Sequence, residues 1–251
     1  MTTYYKFLNP DGSPCNGGGG VWRLPADGRP GDWMPPISGL VPCQRGYHVC
    51  RKQDLLQWCG PTLWTAEIRG HYIEAGSKIV AEQARLLQLL PGWNDRTARL
   101  FACDCAERAL RATKSTDPRS WKALAISRRF AFAEVPKDEL KTAADAAWAA
   151  ARAKRWVAAA VFAAAWVAAA AAAFAAALPV AWVAAAFAAM DAARAAAAKA
   201  AEAKAAERSW QLDRFFEYVQ GRVDITKAPA TEIPAASGRR RRTNCGSMRR
   251  D

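Results

Sequence analysis

The residues of this chain with the widest chemical reach are two histidines and seven cysteines, and three of them crowd into one short stretch. Cys43, His48 and Cys50 follow one another in C-x4-H-x-C order. Thiolate and imidazole are the donors of a closed tetrahedral zinc site, with Cys15 or Cys59 as a fourth ligand. A small loop-rich domain gains much from such a metal. The spacing is not that of a standard finger or ribbon, however, and the plainer reading makes these residues small buried parts of a core. A second chemistry is a nucleophile pair, Cys50 or Cys43 with His48 or His71. On an extended strand His48 and Cys50 share a face. Thiol attack also needs a depressed thiol pKa and an oxyanion site, and the sequence displays neither. The expectation is a structural His48 whose ring bonds a loop carbonyl, with no catalytic residue, no metal ligand and no cofactor.

Two further clusters read as structure. Gly17-Gly18-Gly19-Gly20 suggests a phosphate loop, but that motif has a strand before it and a helix, usually with Lys-Ser or Lys-Thr, after it. Here Val21-Trp22-Arg23-Leu24-Pro25 follows, so a flexible loop is expected. Cys103-Asp104-Cys105 is too tightly spaced for ordinary chelation, and helical phase separates the two thiols.

The elements that must position these residues differ between the two halves of the chain. Residues 9–46 hold most of the turn chemistry, from Asn9-Pro10-Asp11-Gly12 through Ala26-Asp27-Gly28 to Pro35-Pro36, and predict loops and short strands. Residues 54–59, stopped by Gly60-Pro61, predict a short helix. Residues 62–69 alternate, with Trp64, Ala66 and Ile68 on one face, and Gly70 is expected to end that strand. Residues 72–74 and 78–81 predict a hairpin around Ala75-Gly76-Ser77. Residues 84–90 fit either a further strand or a buried helical turn.

From Asn94 the pattern is helical. Asn94 or Asp95 can cap a helix running to about Thr113. Thr116-Asp117-Pro118 is a second start, because proline is tolerated in a first turn. Trp121, Leu124, Ala125, Arg128 and Phe132 then recur at helical spacing. Pro136 opens a third helix, with Asp138 and Glu139 near its positive end. Residues 143–206 are alanine-rich and of extreme helix propensity. The fragment W-V-A-A-A recurs at residues 156–160, 166–170 and 182–186. Pro179 must break or kink the run. Residues 156–190 carry no charge and are long enough to span a bilayer. Alanine is only weakly apolar and charged alanine-rich sequence continues on both sides, so helices buried against neighbours are favoured over a membrane span. Trp210, Phe215, Phe216 and Val219 are expected to dock the last helix. The fold class is thus α+β: a small mixed strand/helix domain at 1–93, an all-α alanine-rich helical domain at 94–222, and a disordered basic tail at 223–251.

The net charge of +13 points to acidic partners. Six arginines and one aspartate within residues 239–251 supply +5 of it, and Arg239, Arg240, Arg241 and Arg242 form a candidate anion-binding cluster. The cluster lacks interleaved aromatics and a base-reading fold, so any nucleic-acid contact through it is expected to be non-specific. The first residues lack a basic segment followed by an apolar one, so no signal peptide is expected. An odd number of cysteines then suits reduced thiols in a cytoplasmic setting.

The stretch Cys43-Gln44-Arg45-Gly46-Tyr47-His48-Val49-Cys50, with Asp54-Leu55-Leu56, Leu63-Trp64-Thr65-Ala66-Glu67-Ile68-Arg69-Gly70 and Lys78-Ile79-Val80-Ala81, resembles an uncharacterised domain of actinobacteria and their phages. Its C-x-x-G-[aromatic or aliphatic]-H-x-C core falls on Cys43, Gly46, Tyr47, His48 and Cys50, and the resemblance implies no activity. Residues from about 100 onward, through Leu100-Phe101-Ala102-Cys103-Asp104-Cys105-Ala106, Asp117-Pro118-Arg119, Arg128-Arg129-Phe130-Ala131 and Glu207-Arg208-Ser209-Trp210-Gln211, resemble alanine-rich helical immunity proteins of polymorphic toxin systems. That resemblance implies a non-enzymatic interaction protein of phage or actinobacterial origin, with another protein as its partner. The alternatives are a nucleic-acid-associated phage accessory protein acting through its basic tail and, more weakly, a zinc or Cys/His site around His48.

Overall fold

A computed structural model describes residues 2–112, 114, 116–153 and 201–232. The fold is mixed α+β, with strands first and helices after. The strands are β1 (Tyr4–Leu8), β2 (Tyr47–Val49), β3 (Thr62–Ala75) and β4 (Lys78–Leu89), and a 3-10 helix spans Lys52–Gln57. The helices are α1 (Asp95–Ala112), α2 (Pro118–Ala131), α3 (Lys137–Ala153) and α4 (Ala201–Val219). The alanine tract at 156–190, its Pro179 break and the Arg239 to Arg242 cluster lie outside the described residues. No helix among the described residues is long and apolar enough to cross a membrane.

The strands form one antiparallel sheet in the order β1-β3-β4-β2. Its outer strands curl toward each other and meet at a bridge, where the Tyr5 and Cys50 backbones exchange two hydrogen bonds of 2.9 Å. Curling of this kind satisfies edge groups that would otherwise remain open. The segment after the first loops adds a second cover. Gly31, Met34 and Ile37 donate their backbone N–H groups to the carbonyls of Leu86, Ala84 and Glu82 on β4. Donors every third residue on one side meet acceptors every second residue on the other, so this proline-rich segment laces the sheet without becoming a strand.

Gly70 does not end β3 as its position suggests. It adopts a φ of +81° inside the strand, the register with β4 shifts between Arg69 and Tyr72, and the hairpin continues to Gly76-Ser77. A bulge absorbs the glycine and increases the local twist. Residues 84–90 resolve as strand, since all but the last lie in β4. The expected short helix is the 3-10 turn at Lys52–Gln57, which buries Leu55 and Leu56.

The helix starts follow the capping chemistry. The Asn94 side chain accepts from the backbone N–H groups of Arg96 and Thr97, and the Asp117 side chain accepts from that of Arg119. Such caps contribute about 1 kcal/mol each. Phe215, Phe216 and Val219 are buried in the expected docking face, and Trp210 is half-buried beside it.

Among the described residues, two apolar clusters join the elements. Leu8, Trp22, Val49, Trp64, Ala66, Ile79, Ala84 and Leu86 fill the concave side of the sheet. The larger cluster joins Phe7, Cys50, Leu55, Leu56 and Leu63 to Trp93, Phe101, Leu110, Trp121, Phe215 and Phe216. It is continuous across residues 93 and 94, where strand gives way to helix. Trp93 sits at its centre, 4.5 Å from the Phe215 ring, and its indole N–H donates to the Gly60 carbonyl at 2.8 Å. The chain after α4 folds back: Val223 and Ile225 pack on this cluster and Thr231 accepts from Arg128.

Candidate functional site

Strand alternation decides which side chains reach the concave side of the sheet. In β1, Tyr5 and Phe7 face the helices, while Tyr4 and Leu8 pack into the concave cluster. Lys6 falls in phase with Tyr4 and Leu8. On β2, Tyr47 and Val49 point the same way as Lys6, and Cys50 turns to the helical core. The loop of residues 43–46 and the glycine run fold over the mouth of the curl. The result is a cavity of about 380 Å³ bordered by Lys6, Lys78, Arg45, Trp22, Trp58, His48 and the four glycines Gly17 to Gly20.

The five motif residues converge here, since Cys43, Gly46, Tyr47, His48 and Cys50 all border the cavity. Gly46 adopts a φ of +123°, and a Cβ there would lie 2.5 Å from Val80, so the turn demands glycine twice over. His48 is half-buried and its ring is committed. Nε2 accepts from the Cys43 backbone N–H at 2.9 Å. Burial lowers its affinity for a proton, the nearby Lys6 and Lys78 lower it further, and a backbone hydrogen bond at Gly46 works the other way. The neutral ring therefore closes the turn. Tyr47 pins the same region by donating its hydroxyl hydrogen to the Pro35 carbonyl.

A measurable pH dependence follows. Because the folded-state pKa of His48 is below its ordinary value of 6.5, the unfolded chain takes up the proton first on acidification. The stability it supports is complete above about pH 6.5 and declines as pH falls through the folded-state value. His48→Gln is expected to lose about 1 kcal/mol at pH 7 and to flatten the decline between pH 7 and pH 5. Urea denaturation across that range checks it, and an unchanged slope in the variant would exclude His48 as the titrating group.

Cys43 is exposed and its sulfur accepts from the Lys78 ammonium. Cys50 and Cys59 are buried, and burial pushes each thiol up to about 12. Such groups stay protonated and inert at neutral pH. His71 is exposed at the Gly70 bulge, where its backbone N–H is held by Glu82, and does not border the cavity. Among the described residues, no three His, Cys, Asp or Glu side chains come together to hold a metal ion.

Sequence reasoning missed the cavity's cations. Lys6 extends its ammonium over the Trp22 ring at 5.1 Å, and Lys78 over Trp58 at 5.2 Å. The available signal was one lysine inside the otherwise apolar and aromatic run Tyr4-Tyr5-Lys6-Phe7-Leu8.

A second, shallower depression lies between α1 and α4, bordered by Asp104, Glu107, Arg108, Arg111, Glu207, Trp210, Arg214 and Glu217. Its floor is a charge network. The Asp104 carboxylate accepts from Arg128 (2.9 Å), Arg214 (2.7 Å) and the Tyr218 hydroxyl (2.7 Å). On the rim, Arg108 stacks 4.4 Å over Trp210 and pairs with Glu207 at 2.6 Å. Compared with known protein families, characterised proteins and solved structures, the chain matches none.

Proposed function

We propose that this chain is a non-enzymatic interaction protein that engages another protein through its helical face, in the manner implied by its likeness to immunity proteins of toxin systems. The observation that carries the reading is the α1–α4 depression. Arginine and tryptophan are enriched where binding energy concentrates. Here Arg108 and Trp210 stand partly exposed on a rim whose floor is fixed by buried ion pairs. A surface pre-organised in this way loses little entropy on binding. The committed ring of His48 and the inert buried thiols also favour recognition over turnover. On this reading residues 94–222 form one all-α domain in a cytoplasmic protein of phage or actinobacterial origin.

The test is capture by the full-length protein from an actinobacterial lysate, with and without nuclease treatment, compared with Arg108→Glu and Trp210→Ala. One protein retained by the parent and reduced at least tenfold by either variant is the expected result. Retention of nucleic acid alone, abolished by nuclease or by deleting residues 238–251, would overturn it. That outcome would favour the second reading, which rests on the charge of +5 concentrated in residues 239–251.

A further inference from the structure

The cavity under the curled sheet carries a charge imbalance that the fold does not explain. Its border includes Lys6, Lys78 and Arg45, and no aspartate or glutamate. None of the three is ion-paired among the described residues. Lys78 donates to the Cys43 sulfur, and Lys6 has no hydrogen-bond acceptor there at all, only the face of Trp22. Lys6 borders open space, yet protein surrounds it closely enough that burial lowers its pKa, against the opposing effect of Cys15 and Cys50. A half-buried cation without an ionic partner is costly, and groups perturbed in this way cluster at functional sites. The field is felt nearby, since both lysines act on His48.

The glycine run adds donors. Among the described residues, the backbone N–H groups of Gly17, Gly18, Gly19 and Gly20 have no acceptor in the protein. Packing does not explain why Gly19 is glycine: a Cβ there meets nothing within 4 Å, and its φ is not left-handed. Bare backbone at the mouth of a cationic cavity is what close approach of an anion requires. The walls supply the complementary apolar part, with Trp22, Trp58 and Tyr47. The volume, near the low end of the roughly 300–1,000 Å³ typical of ligand pockets, suits one small organic molecule.

We propose that this cavity binds a small phosphomonoester carried on a planar aromatic group, a nucleoside monophosphate by size. Lys6, Lys78 and Arg45 neutralise the phosphate, the glycine N–H groups take its remaining oxygens, and the aromatic walls hold the ring. A phosphate uses three cations and several N–H donors more fully than a single carboxylate does. The site is separate from the helical depression, and neither reading depends on the other.

The experiment is calorimetric titration of the full-length protein with adenosine monophosphate, with adenosine and inorganic phosphate titrated in parallel. The expected result is saturable 1:1 binding of the monophosphate, at least tenfold tighter than either fragment, and at least tenfold weaker in Lys6→Met. Lys6→Met replaces a half-buried cation by an apolar side chain of similar length, so its thermal midpoint should match or exceed the parent's. Arg45→Gln is the second variant, on an exposed residue whose side chain is not ion-paired among the described residues, and should weaken binding about threefold to tenfold. No saturation up to millimolar monophosphate would overturn the proposal. So would equal affinity for adenosine, or unchanged affinity in both variants, because each removes the phosphate from the interaction.

Discussion

Asp104→Asn is expected to lower the unfolding free energy by about 3–5 kcal/mol, the range for removing one member of a buried ion pair. Asp104 lies on α1, and its carboxylate gathers Arg128 from α2 and both Arg214 and Tyr218 from α4. The side chains of Asp104 and Arg128 are only 10% and 5% exposed, so water cannot replace a lost partner. Asparagine keeps the size but removes the charge, and it turns an NH2 group toward donors that need an acceptor. Arg128 retains Glu107 and Arg214 retains Glu217, which keeps the loss below full collapse. The network is already strained for acceptors, since Arg128 Nε is buried with no partner among the described residues. Burial, reinforced by Asp104, raises the Tyr218 phenol well above its usual range, so the hydroxyl stays a donor at any ordinary pH. Asp213→Asn, on the exposed side of α4, is the control and should change stability by less than about 0.5 kcal/mol. Guanidinium denaturation of the two variants measures the difference. A loss below about 1 kcal/mol for Asp104→Asn would mean the three helices are joined by their apolar contacts alone.

That network shows where sequence reasoning stops. Cys103-Asp104-Cys105 reads as two thiols on different faces of a helix, and the structure buries both. Nothing local marks the aspartate between them as a hub, because its partners lie 24, 110 and 114 residues away. By contrast, the cap residues Asn94 and Asp117 and the hairpin turn at Gly76-Ser77 were legible, because each acts within a few residues of itself. Gly70 misleads for the same reason: a glycine that stops one strand bulges another, and only pairing with β4 decides. The candidate site was half legible. The motif around His48 lies on the cavity as a group, but as a turn-closing device. Lys6 and Lys78 border one cavity only because the curl of the sheet closes β1 onto β2, the strand paired with β4, which alternation within either strand does not reveal.

Gly92→Ala carries the same lesson into a second large effect. Gly92 stands beside Pro91, just before the start of α1. In the structure its backbone lies directly under the last turn of α4. A Cβ would stand 2.1 Å from the Val219 carbonyl oxygen and 2.7 Å from that of Tyr218. Both are backbone atoms at the end of a packed helix, so no side-chain rotation relieves the overlap. Gly92 cannot retreat either, because its carbonyl accepts from Thr97 and its neighbour Trp93 is fixed to Gly60. The end of α4 must therefore lift, and the rings of Phe215 and Trp93 lose their 4.5 Å contact. Overpacking costs about 1–3 kcal/mol and more where the neighbours cannot move, so a loss of about 3 kcal/mol is expected. Because the strain falls on the joint between sheet and helices, near-ultraviolet circular dichroism of the aromatic cluster should change along with the denaturation midpoint. Gly19→Ala is the matched comparison: it meets nothing within 4 Å and should leave stability unchanged or raise it by about 0.4–1 kcal/mol. If Gly92→Ala behaved like Gly19→Ala, α4 would not rest on residue 92, and the core joining strands to helices would have to close by another contact.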